Sequence, residues 1–216
     1  MRGRDVVTIE NLASAFSVGS QLPTLDGLAP VVEVATATLS LPTGRIMVCD
    51  PVCNMPPEAC LSATVPPGAY RFDLSVLKLP RWGDASAVGC LHVTSNPPAR
   101  LAPAAPACFG VDVGTGSIVD EADAQALVEA RIDDDEYYRL VVEKDKHHQA
   151  MREVEFPMLP SKKLLVFATG QGDGVYGIFY ATDRNGQLSG IVLDLGVLVD
   201  KAPDSALTRK PWWRFW

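Results

Sequence analysis

From residue 39 onward, short apolar runs alternate with turn residues, and the period within each run predicts its element. Residues 39–50, LSLPTGRIMVCD, read as strand, turn, strand. Pro42, Thr43 and Gly44 supply the turn, and Asp50-Pro51 stops the second strand. In residues 70–79, Tyr70, Phe72, Leu74 and Val76 share one parity and Arg71, Asp73 and Ser75 the other. That alternation predicts a strand buried on one face. Residues 85–94 are its expected antiparallel partner, with His92 reading as a structural histidine. Between Pro51 and Pro67 the chain reads as a loop rich in Pro and Cys.

Further along the period changes. Residues 120–132 favour a helix, because Asp120 can cap free amides and the acidic residues that follow suit the first turn. A second helix is expected over 134–152. Residues 163–168 read as a strand. Residues 174–182 and 187–194 read as a hairpin, since Asp183-Arg184-Asn185-Gly186 supplies its turn. Apolar residues occupy both parities of this hairpin, which predicts burial on both faces. The proline-rich stretch 95–107 reads as a linker or edge crossing within one domain. The expected fold is α+β: a mostly antiparallel β-sheet core, meander or sandwich-like, with one or two helices between residues 120 and 152, in a single domain spanning 1–216.

Composition narrows the function classes. The 216 residues carry a formal net charge of −7, against a phosphate-backbone binder. No run reaches the ~18 apolar residues of a membrane span, and residues 1–20 lack a signal-peptide core. A cytoplasmic protein is expected. Cys49, Cys53, Cys60, Cys90 and Cys108 are odd in number and fit no disulfide framework or common zinc spacing. His147 and His148 are adjacent, so on a helix they point about 100° apart and share a metal poorly. No metal or cofactor is expected.

Two glycine-rich segments carry the candidate chemistry: residues 110–120, GVDVGTGSIVD, and residues 169–176, TGQGDGVY. Glycine exposes backbone N–H groups that can cradle an anion. The aspartates among them can act as an acid–base pair or gather at a cation. The candidate catalytic residues are Asp112, Asp120 and Asp173, with Asp112 and Asp173 the weak metal candidates. Gly114, Thr115, Gly116, Gly172, Gly174 and Tyr176 are the candidate binding residues. The plainer reading is that glycine closes turns and aspartate holds them. Asp112–Gly116 also resembles the first phosphate loop of the sugar-kinase and actin-like superfamily. It stands mid-chain before a helical pattern, however, and no Gly-Lys-Ser/Thr accompanies it.

A longer resemblance runs from about residue 30 to 200. Residues 41–45 (LPTGR), 49–51 (CDP), 67–70 (PGAY), 110–116 (GVDVGTG) with Asp120, and 170–176 (GQGDGVY) with Asp183, Gly186 and Asp194 occur in this order. Together they resemble a family of bacterial proteins known only as a domain of unknown function, marked by a GVDxGxG…D segment and a C-terminal GxGDGxY hairpin. The chain departs from that pattern at Thr169 and Ala181, where Ser and Gly are usual, and in lacking an Arg within residues 85–93. The resemblance implies a bacterial, cytoplasmic α+β domain and no particular activity.

Residues 209–216, RKPWWRFW, interleave cations with Trp212, Trp213 and Trp216. Such a tail can pack on its own domain or meet a protein groove. The leading expectation is a non-catalytic interaction protein with a protein partner, such as an immunity protein that neutralises a toxin. Acidic charge would speed capture of a basic toxin. The alternative is a ligand-binding domain or metal-assisted hydrolase built on the aspartates of the two glycine loops, which requires those loops to meet in space. The oligomeric state stays open.

Overall fold

The structure is a computed structural model that describes residues 7–52, 55–142 and 150–200. Its elements, in chain order, are α1 (Ile9–Ala15), β1 (Gln21–Thr24), β2 (Gly27–Leu41), β3 (Arg45–Cys49), β4 (Cys60–Thr64), β5 (Gly68–Leu79), β6 (Gly83–His92), β7 (Arg100–Val111), β8 (Thr115–Asp120), α2 (Glu121–Glu129), α3 (Asp134–Val141), β9 (Met151–Phe156), β10 (Leu159–Ala168), β11 (Gly174–Thr182) and β12 (Leu188–Asp194). The α+β class with mostly antiparallel sheet is thus observed. A seven-stranded sheet has the order β1-β2-β5-β6-β12-β11-β7, and a five-stranded sheet the order β4-β3-β8-β10-β9.

Three apolar layers hold these sheets. Between them lie Leu41, Ile46, Phe72, Leu91, Phe109, Ile118, Phe167 and Ile191. Phe72 of one sheet stacks on Phe167 of the other at 5.9 Å. The outer face of the seven-stranded sheet is covered by Leu12 and Ala15 of α1 together with Val197 and Leu198. The outer face of the five-stranded sheet is covered by Ala124 and Leu127 of α2 and by Leu140 and Val141 of α3. The central strands are therefore buried on both faces; β12 is buried at both parities, as its apolar residues predicted, whereas β11 is only partly so, with Val175 exposed.

That layering corrects one expectation. β5 is not half-buried: Phe72 through Leu77 are all buried. Its polar parity lies on the outer face of the sheet with Leu77 and Leu79, and is satisfied by hydrogen bonds there. Ser75 Oγ accepts from the backbone N–H of Val88 at 3.1 Å. Asp73, 1% exposed, accepts from Thr36 Oγ1, Arg71 Nε and His92 Nε2 at 2.8, 2.8 and 2.9 Å. His92 is thus held structurally, with Phe16 edge-on at 6.3 Å. Burial would raise the Asp73 carboxyl, but the bonds from Arg71 and Thr36 and the nearby cationic groups outweigh it and hold it below the usual carboxylate value.

Three further boundaries differ. The predicted helix over 134–152 ends at Val141, and β9 begins at Met151. Val154 and Phe156 alternate inward with Glu153 and Glu155 outward, so that stretch pairs with β10 instead. The proline-rich stretch 95–107 contains the start of β7 at Arg100. Pro103 and Pro106 are tolerated because β7 ends the sheet order and one of its edges needs no ladder donor. The loop expected before Pro67 contains β4, paired to β3. α1, β1 and most of β2 lie where the sequence suggested no element. A capping box between Thr8 and Asn11 starts α1. His147 and His148 and the tail with Trp212, Trp213 and Trp216 lie outside the described residues.

Candidate functional site

The chain passes between the sheets at residues 42–44, 65–67, 112–114 and 169–173. These passages come in neighbouring pairs. Val65 donates its backbone N–H to Gly44 O at 2.9 Å, and Thr169 donates to Gly114 O at 2.9 Å. The two glycine-rich segments are the second pair, so they do meet. A Cβ placed on Gly114 would lie 3.4 Å from Gly172 Cα. Gly174 pairs with Val111 across β7 and β11, which brings Asp112 and Asp173 to adjoining turns.

Around this corner the candidate binding residues are packed. Tyr176, 4% exposed, donates its hydroxyl to Gly172 O at 2.6 Å, and its ring lies 5.7 Å from that of Phe109. Thr169 Oγ1 donates to the same Gly172 oxygen at 2.7 Å. Thr115 and Gly116 are buried, and a Cβ on Gly116 would lie 2.6 Å from the Phe167 ring. Asp112 and Asp173 are exposed, whereas Asp120 is fully buried. Asp120 stands at the far end of β8, about 16 Å from the corner at ~3.3 Å per strand residue. Among the described residues no three His, Cys, Asp or Glu side chains group as a metal site.

Four buried aspartates at strand ends share one arrangement. Each accepts the backbone N–H two residues on: Asp50 from Val52 at 2.7 Å, Asp120 from Ala122 at 3.0 Å, Asp183 from Asn185 at 2.8 Å and Asp194 from Gly196 at 3.0 Å. Each also binds a remote segment. Asp50 accepts from the Asp112 N–H at 2.7 Å, and Asp120 from the Thr43 N–H and hydroxyl, each at 2.9 Å. Asp183 accepts from Asn96 Nδ2 at 2.8 Å, and Asp194 from the Val7 N–H at 3.3 Å. The Gln187 N–H first, and Asn96 with it, holds the Asp183 carboxyl below its ordinary value against its desolvation.

Cys49, Cys60, Cys90 and Cys108 form no disulfide. Burial first, then the Asp73 charge, pushes the Cys90 thiol up to about 12, which leaves it protonated and unreactive at neutral pH.

An open groove lies beside the second glycine loop. Two adjoining cavities of about 550 and 490 Å³ share Trp82, Asp84, Ala85 and Gly170 in their walls. Trp82, at the tip of the β5–β6 hairpin, is 78% exposed. Gly170 lets the loop approach this wall, since a Cβ there would lie 2.3 Å from Ser86 O. Asp26 and Arg81 line the first cavity and Glu33 the second. The sequence reading passed over this groove. Its available signal was Arg81-Trp82-Gly83, a tryptophan at a hairpin tip, where burial is least expected.

The family model described as a protein of unknown function (DUF4241) matches residues 39–193. The chain belongs to the DUF4241 family. No curated protein and no solved structure matches it. The DUF4241 match takes in all four passages between the sheets, together with Trp82, Asp84 and Gly170. Asp26, Glu33 and Val197, which complete the groove walls, lie outside the matched residues. No helix among the described residues of this DUF4241 chain is long and apolar enough to cross a membrane.

Proposed function

We propose that this DUF4241 chain is a non-catalytic, bacterial, cytoplasmic interaction protein of a single domain, which holds a protein partner in the Trp82 groove as an immunity protein holds a toxin. The observation that carries the reading is Trp82 itself, 78% exposed between two cavities. Tryptophan is enriched among residues that dominate binding energy, and leaving one in water without a partner forgoes much apolar burial. A second consideration is the use made of carboxylates. Of the three candidate aspartates, Asp120 is engaged by backbone amides, the plainer role that sequence allowed, and Asp50, Asp183 and Asp194 outside the candidate set are engaged likewise. The net charge of −7 would speed capture of a basic partner. The test is capture from native lysate on the full-length protein beside Trp82→Ala. A partner retained by the first and lost by the second supports the reading; equal retention contradicts it.

One observation favours a second reading, a ligand-binding domain or metal-assisted hydrolase. Asp112 and Asp173 stand on adjoining turns, as that reading requires. Two carboxylates could hold one divalent cation that keeps several waters. Melting the wild type and the Asp112→Asn, Asp173→Asn double variant with and without Mn²⁺ decides it. A rise in midpoint seen only in the wild type supports this reading, and no rise in either removes it.

A further inference from the structure

We infer that the Trp82 groove takes arginine or lysine side chains from a basic segment of the partner; this rests on the interaction reading above and adds the partner's chemistry. The walls supply the argument. A cation is drawn to the face of an aromatic ring, and tryptophan is the strongest of the three rings. Around Trp82 the two cavities carry three carboxylates, Asp26, Glu33 and Asp84, against one cation, Arg81. An acidic or plainly apolar ligand would have to desolvate those carboxylates without partnering them, whereas a guanidinium can bind a carboxylate with two N–H groups while its plane lies on the indole.

The existing partners do not block this exchange. Asp84 meets Lys78 at 2.9 Å with both side chains more than half exposed. Asp26 meets Arg81 at 3.6 Å, and the Arg81 side chain is 69% exposed. The Asp26 side chain itself is only 17% exposed, so Asp84 is the more accessible carboxylate; a pair exposed on both sides, as Asp84–Lys78 is, holds weakly. An incoming guanidinium therefore displaces Lys78 from Asp84 at small cost and gains the indole face as well.

The probe is a capped peptide, acetyl-Ala-Arg-Ala-Arg-Ala-amide, titrated into ¹⁵N-labelled full-length protein, with the same peptide carrying Glu for Arg as control. The Trp82 indole N–H resonance is identified by its disappearance in Trp82→Phe. The expected result is a saturable shift of that resonance with the Arg peptide only, weaker at high salt. Replacing Glu33 with Gln and Asp84 with Asn together should weaken binding about tenfold. No shift at millimolar Arg peptide, or an equal shift with the Glu peptide, overturns the inference. Binding seen only after Trp212, Trp213 and Trp216 are replaced by Ala would give the groove to the chain's own basic end and also overturn it. The two claims fail separately. A partner lost in Trp82→Ala from a protein that ignores the Arg peptide keeps the interaction reading and removes the basic chemistry. A partner bound equally by Trp82→Ala removes the interaction reading itself.

Discussion

Asp50 Oδ2 accepts the backbone N–H of Asp112 at 2.7 Å across 62 residues of chain, and so fastens the end of β3 to the β7–β8 passage. Its other oxygen holds Val52. Asp50→Ala would leave two amides without their acceptor at a site where Asp50 is only 4% exposed. The expected loss is about 2–3 kcal/mol in urea unfolding, the usual cost of stranding buried polar groups. Asp173→Ala, in an exposed turn, is expected within about 0.5 kcal/mol of wild type. Equal losses in the two would contradict the assignment of Asp50 as the fastening residue.

Asp120 does two jobs of the same kind. It caps α2 through Ala122 and holds Thr43 in the β2–β3 passage through both its backbone and its hydroxyl. Removing the cap alone costs ~1 kcal/mol, and the lost Thr43 bonds add to it, so Asp120→Ala should cost about 2–4 kcal/mol. Thr43→Val keeps the backbone bond and loses only the hydroxyl, and about 1 kcal/mol is expected. Equilibrium unfolding of the two variants side by side checks this order.

Two glycines separate conformation from contact. Gly44 has φ +72°, and a Cβ there would lie 1.8 Å from the carbonyl oxygen of Val65. Gly172 has φ +81°, and a Cβ there would meet nothing within 4 Å. Gly172→Ala should therefore cost only the left-handed conformation, about 1–2 kcal/mol. Gly44→Ala adds a backbone clash that no side-chain rotation relieves. Its expected signature is a thermal midpoint well below that of Gly172→Ala, or failure to fold.

Asp73 sets an acid limb to stability. Its folded carboxyl lies below the ordinary value, so it binds its proton less readily in the folded state. The resulting stabilisation is fully present above the unfolded value of ~3.9 and is lost as pH falls through that value toward the folded one. Between pH 7 and 5 this group contributes no slope. Midpoints measured from pH 6 down to pH 3 should fall more steeply in the wild type than in Asp73→Asn.

The sequence revealed those parts of the fold whose cause is local. The β11–β12 hairpin follows from Asp183 and Gly186, which make the turn the motif predicts, with Gly186 at φ +77°. The start of α2 follows from the Asp120 cap. What stayed hidden depends on partners far along the chain. Residues 39–50 read as strand, turn, strand, but β2 pairs with β5 and β3 with β8, so the turn joins two sheets rather than closing a hairpin. Asp73 and Ser75 read as the exposed parity because nothing local announces their partners, Thr36 and His92 for Asp73 and the Val88 amide for Ser75. The glycine segments read as candidate loops, and the structure makes them neighbouring corners. Trp82 is silent in the sequence because a single tryptophan carries no period. Only the groove around it, assembled from turns distant in sequence and from the second glycine loop, gives it meaning.

The central claim is that Trp82 anchors a protein partner. The direct measurement is the affinity of the captured partner for full-length wild type and for Trp82→Ala, by calorimetry, with both proteins first shown to melt at the same temperature. At 78% exposure the substitution should leave the fold intact. The account predicts a loss of about thirtyfold or more, the scale of a binding hot spot. Equal affinity in two equally stable proteins would contradict it.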